Sequence, residues 1–169
     1  LRSLENPSRL FTERAQFSRD ADKAMFRPLL LFTFALNYAW SGLETYSYHI
    51  VNVALQAGCA VLVWLLLRGL GHATGPSLFG GLVFALHPLG TEPVNYISSR
   101  SELLMGFWVL AAVVLHQRAV ESEGGRQLLA RAASAACFGL GLLTKSVAIT
   151  TPALLLLLDV VRRRRCRPL

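Results

Sequence analysis

Charge is what this sequence has least of. Of 169 residues only 16% are Asp, Glu, Lys or Arg, only 10 are acidic, and 53% are hydrophobic, with a mean hydropathy of +0.45. A water-soluble domain carries about 25% charged residues, so this composition excludes an ordinary soluble domain. Cysteine is also scarce. Cys59, Cys137 and Cys166 form neither a disulfide framework nor a zinc spacing. Cys59 and Cys137 sit in apolar runs and read as small apolar side chains. The chain opens on Leu1 rather than Met, with no signal peptide before its polar start, and stops just after an apolar run. A window from a longer protein is the expectation.

What is present is long apolar blocks: 46–67, 77–86, 103–115, 128–143 and 147–161. A bilayer core needs roughly 20 helical residues to cross it. The first block reaches that length alone and the others reach it with their flanks. The fold class expected is all-α, a multi-pass transmembrane helical bundle. Residues 1–45 read as an outer-face loop with an interfacial amphipathic helix, 46–161 as about five transmembrane segments, and 162–169 as a basic cytoplasmic tail. The net charge of +7 does not point to nucleic acid, because five of the 17 Lys and Arg lie in the tail RRRRCRPL, directly after an apolar run.

That tail sets the orientation. With Arg162–Arg165 inside, counting back places Arg68, Arg118, Arg126, Arg131, Arg162, Arg163, Arg164, Arg165 and Arg167 inside. Outside the long opening segment, only Arg100 and Lys145 fall on the outer face. Such a bias follows the positive-inside rule. It puts the stretch HPLGTEPVNYISSRSELL (87–104) on the outer face. The apolar part of that crossing, Pro76 to Leu86, spans only half a bilayer, so the crossing must take in His87, Pro88, Glu92 and Pro93. Broken backbone at membrane depth persists only where protein or a water-filled cavity satisfies it, and ionisable groups there mark candidate functional sites. The plain alternative is a helix–helix turn with solvated charges. Upstream, FRPLLLFTFALNYAWSG (26–42) is apolar, begins with Arg-Pro and carries Asn37, which suits a helix lying in the interface.

Four elements occur in order: FRPLLLFTFALNYAWSG, YHIVN, FALHPLGTEPVNYISSRSELL and LLTKSVAITTPALLLLLD. Together they resemble the transmembrane and tetratricopeptide repeat-containing protein family and its bacterial relatives, which are similar to protein O-mannosyltransferases of the GT-C fold. The resemblance covers about 5–161 and implies a partial GT-C-like membrane module. It implies a polyprenyl- or dolichyl-phosphate sugar donor and a protein acceptor, most simply Ser or Thr, with membrane lipids and no nucleic acid as partners. The membrane implied is the bacterial inner membrane or that of the endoplasmic reticulum. An acidic pair serving as catalytic base is expected upstream of Leu1, and tetratricopeptide repeats beyond Leu169, so the fragment alone is expected to be inactive. The chain departs from the pattern at Ser146, at Ser98-Ser99 and at Gln56.

Transfer from a lipid phosphate needs a base at the acceptor hydroxyl and cations where charge builds on the leaving phosphate. The substrate-binding candidates are Arg100, Glu92, Arg27, Lys145, His87, His49 and Asn52. Arg100 is the expected phosphate contact, against simple pairing with Glu92 or Glu102. Arg27 and Lys145 are further outer cations, or anchors at segment ends. Glu92 is placed to orient the acceptor, ligate a divalent cation or hold Arg100. His87 contacts substrate or caps the broken helix. His49 and Asn52 share a helix face and join neighbouring helices or reach the headgroup. Asp159 is expected to pair with the Arg162–Arg165 run. A polytopic transporter and a non-catalytic membrane scaffold are the alternative functions.

Overall fold

Proline and glycine punctuate the apolar sequence into seven helices in the computed structural model, which describes residues 27–165. The polar opening and the end of the basic tail, read above as loop and anchor, lie outside the described residues. Helix α1 (Pro28–Ser41) starts on a proline, whose missing N–H is unneeded in a first turn. It stops at Gly42, whose φ of 61° suits glycine and whose N–H donates to Tyr38 O at 2.8 Å. Helix α2 (Thr45–Gly69) follows, then α3 (Thr74–Leu86). A single-turn 3-10 helix (Pro88–Gly90), the short α4 (Thr91–Asn95) and a second 3-10 turn (Ile97–Ser99) lead into α5 (Arg100–Glu121). Helix α6 (Gly124–Thr144), a 3-10 turn (Ser146–Thr150) and α7 (Thr151–Arg165) complete the chain. No strand occurs among the described residues.

Among the described residues, three helical stretches are long and apolar enough to cross a membrane: Thr45–Gly69, Ile97–Glu121 and Gly124–Thr144. Helix α3 and the Ser146–Val160 stretch are apolar but shorter. The loop between α5 and α6 is tighter than the polar run 117–127 predicts. Helix α5 continues to Glu121, and only Ser122 and Glu123 separate it from α6.

Helix α5 is the centre of the bundle, with α2 on one side and α6 on the other; α3 packs on α2, and α7 on α5. Its inward residues are small or branched, Ala112, Val113, Val114 and Ala119, all buried. Glycine brings α3 onto α2: a Cβ on Gly81 would lie 3.1 Å from Ala60 O and 3.2 Å from Trp64 Cβ. Small residues at contacts are how helices associate in lipid, where burying leucine gives no advantage over tails. The large apolar side chains accordingly point outward. Phe79, Leu86, Leu128 and Leu129 are each at least 70% exposed. This is the surface of a membrane protein.

Candidate functional site

The bundle has two ends. One carries the broken segment 87–99, Arg27, Glu102 and Lys145; the other carries Glu121 and Arg162. At the first end, Pro88 stops α3 and supplies no N–H to Phe84 O, four residues back. Gln56 Nε2 donates to that carbonyl instead, at 3.2 Å. One turn earlier on the same face of α2, Asn52 Nδ2 lies 3.4 Å from the carbonyls of Pro93, Val94 and Tyr96, and His49 Nδ1 lies 3.4 Å from Val94 O. His49, Asn52 and Gln56 therefore form a polar stripe that pairs with the irregular backbone of residues 84–96. The protein supplies partners for the broken backbone, as irregular backbone within a membrane requires. His49 and Asn52 thus join helix to loop. His87 Nδ1 accepts the Leu89 N–H at 3.2 Å and caps the first 3-10 turn.

Arg100 lies at the heart of this end and is fully buried. Its Nε donates to Asn52 Oδ1 at 3.0 Å. Its Nη2 donates to Asn37 Oδ1 at 2.9 Å and Tyr48 O at 3.1 Å, and its Nη1 to Thr33 O at 3.5 Å. The guanidinium carbon also sits 4.6 Å from the Phe34 ring centre and 5.4 Å from that of Tyr48. The sequence offers Glu92 or Glu102 as its partner, and the structure gives it neither. Glu92 is exposed, and Glu102 pairs with Lys145. Four donor contacts to protein oxygens tie α1, α2 and α5 together and present no guanidinium edge to the surface. Asn37, read in the sequence as suiting a helix in the interface, packs inward: it is 3% exposed and its Nδ2 donates to Ser47 Oγ at 3.0 Å.

Beside this node lies a cavity of about 530 Å³. Its walls are apolar, with Cys59, Val63, Phe84 and Leu103 among them, and Gly106 leaves one side open. Its rim is polar: Gln56, His87 and Glu102. The Glu102 carboxylate on that rim is held by Lys145 Nζ in a charge-assisted hydrogen bond. Arg27 Nη1 reaches Ser101 Oγ at 3.4 Å nearby. So the structure gathers His87, Lys145 and Arg27 at one end with Glu102, while Arg100, His49 and Asn52 form the scaffold beneath them. Glu102, which the sequence offered only as a partner for Arg100, and Gln56, noted only as a departure from the family pattern, are the site residues missing from the substrate-binding candidates. Glu102 stands in the first turn of α5, just after the second 3-10 turn. Among the described residues no three His, Cys, Asp or Glu side chains stand close enough to hold a metal ion.

The other end is closed by Arg162, whose Nη2 donates to Gly69 O at 2.6 Å and pairs with Glu121 at 2.5 Å. Asp159 does not join it. Its Oδ1 lies 3.0 Å from His116 Nε2 on α5, against which α7 packs.

Fold and site define a helical membrane protein with a greasy chamber beneath a polar, irregular loop. Comparison with known proteins gives the family. The chain is 31% identical over 163 residues to protein O-mannosyl-transferase F38B6.6 of Caenorhabditis elegans, covering 95% of this chain and 22% of that protein. It is 34% identical over 141 residues to protein O-mannosyl-transferase Tmtc2 of Drosophila melanogaster, covering 81% and 15%. It is 36% identical over 101 residues to human protein O-mannosyl-transferase TMTC3, covering 60% and 11%. The chain belongs to this TMTC family of proteins named protein O-mannosyl-transferases. It spans at most about a fifth of the length of these relatives. No family model matches it, and no solved structure matches it.

Proposed function

We propose that this chain is part of a multi-pass, GT-C-type glycosyltransferase. The full-length protein moves mannose from a polyprenyl- or dolichyl-phosphate donor to a protein hydroxyl on the outer or luminal face. The observation that carries this reading is the apolar cavity with the Glu102–Lys145 pair on its rim. An isoprenoid chain suits the walls, and the phosphate suits the rim. As the acceptor oxygen attacks the anomeric carbon, the bond to the phosphate oxygen breaks and negative charge builds on the phosphate. Lys145 swings from Glu102 to meet that charge, with Arg27 beside it. Glu92, which is exposed, orients the acceptor. The hydroxyl proton goes to a carboxylate supplied by a part of the full-length protein outside this chain. The relatives named protein O-mannosyl-transferases support mannose and a protein acceptor.

Gly106 offers a direct test, because a Cβ there meets nothing within 4 Å. Gly106 lines the cavity, so Gly106→Leu is expected to place its side chain in that space. Its expected effect in the full-length protein is a loss of donor affinity of about tenfold or more, with melting temperature unchanged. Unchanged affinity would overturn the assignment.

The loop end faces outward in this reading, because arginines crowd the other end. With Cys59, Cys137 and Cys166 replaced by alanine, an impermeant thiol reagent is expected to label Leu89→Cys from outside and Glu123→Cys only from inside. Labelling of both from the same side contradicts the orientation.

A further inference from the structure

The far end of the bundle holds a second cavity, of about 540 Å³, that the transfer reaction does not use. It exists because α6 and α7 both lean on α5 yet barely touch each other. Each helix lines it with one face. Helix α6 contributes Gln127, Arg131 and Phe138, and α7 contributes Leu155, Asp159 and Arg162. These residues follow helical spacing, and they are graded along the bundle. Toward the start of α6 and the end of α7 the lining is polar; further along the bundle it is apolar, with Ala135, Phe138, Pro152 and Leu155. Asp159 is hydrogen-bonded to His116, and Glu121 is paired with Arg162. Arg162 is held by those contacts and by the Gly69 carbonyl. Arg131 is exposed, and no hydrogen bond or ion pair of its side chain occurs among the described residues. One unmatched cation therefore stands over a crevice that turns apolar with depth.

We infer that this crevice binds an anionic glycerophospholipid, its phosphate on Arg131 and an acyl chain along Phe138 and Leu155. Charge complementarity and the polar-to-apolar gradient select that occupant: a free phosphate would leave the apolar half unused, and a neutral lipid would leave Arg131 unmatched. Basic pockets between membrane helices on the cytoplasmic side hold acidic headgroups in this way. The inference rests on the chain lying in a membrane and not on the mannosyl-transfer reading, so the two fail separately.

The test uses the full-length protein in detergent. Retention of dioleoylphosphatidylglycerol is compared with that of dioleoylphosphatidylcholine by native mass spectrometry. Wild type is expected to retain the anionic lipid several-fold better. Arg131→Gln is expected to lose roughly fivefold of that binding, the worth of one basic side chain at an anionic surface, and Arg131→Lys to keep most of it. Ala135→Leu, which fills the apolar half, is expected to weaken lipid retention with the charge intact. Arg131 is exposed and ties no helices together, so its variants are expected to melt as wild type does without lipid. Equal retention of the two lipids, or an unchanged Arg131→Gln, overturns the inference. Competition by inorganic phosphate at millimolar concentration as effective as the lipid would show a plain anion site and overturn it too. An insensitive wild type whose crevice is filled by another part of the longer chain gives the first of these results.

Discussion

Arg100→Ala is expected to unfold the loop end of the bundle. The guanidinium is fully buried and holds Asn37 Oδ1, Asn52 Oδ1 and Tyr48 O within 3.1 Å. Truncation leaves these acceptors without donors in a dry interior. Each orphaned buried group costs about 1–3 kcal/mol. Hydrogen bonds between membrane helices average less, about 0.6 kcal/mol, because the unfolded chain in lipid finds partners too. Charge on the donor and three simultaneous losses place the expected penalty at roughly 2–5 kcal/mol. Arg100→Lys should recover little, since an ammonium is a single point where the fork bridges two asparagines and a carbonyl. Asn37→Ala combined with Arg100→Ala should cost less than the sum of the single changes, because both break the same network. Thermal unfolding of the detergent-solubilised full-length protein reads all of this. An Arg100→Ala protein that melts like wild type and loses only donor affinity would return Arg100 to the phosphate.

Lys145→Ala should show the opposite profile, with the fold kept and the chemistry lost. Its pair with Glu102 is partly exposed, with side-chain exposures of 22% and 44%. Such pairs contribute about 0–1 kcal/mol to stability, so the variant is expected to fold. Against a phosphate gathering charge, the same ammonium contributes about 1.5–3 kcal/mol. That corresponds to a drop of roughly 10- to 150-fold in kcat/KM for mannosyl transfer by the full-length protein. Lys145→Arg is expected to recover most of it, since a cation remains at the rim. Glu102→Gln releases the lysine and is expected to leave donor affinity equal or raised. A folded Lys145→Ala protein with wild-type kcat/KM removes Lys145 from the reaction.

The helices were legible because their signals are local. Apolar blocks and the prolines at positions 28, 76, 88 and 152 mark where helices run and break, and the three long ones lie where the blocks do. The broken segment was legible for the same reason: a largely apolar run from Pro76 to Leu86, then His87 and Pro88, cannot continue a helix. Pairing was not legible, since it depends on which faces meet. Arg100 looked like an outer cation because it follows a loop. Only the packing of α1 on the bundle brings Asn37, 63 positions away in sequence, to its Nη2. Gln56 looked like a departure from a family pattern, and it supplies the donor that Pro88 lacks to Phe84 O. Asp159 sits near four arginines in sequence, yet α7 turns it toward His116 on α5.

The central claim is that the cavity beside Glu102 holds the lipid chain of the sugar donor. The measurement that tests it most directly is donor affinity as a function of chain length, in full-length wild type and Gly106→Leu. The account predicts that Gly106→Leu weakens a long-chain polyprenyl-phosphate mannose by about tenfold or more and leaves a short-chain, water-soluble analogue unaffected. Equal affinities of the two proteins for the long-chain donor, or an equal loss for both donors, would contradict it.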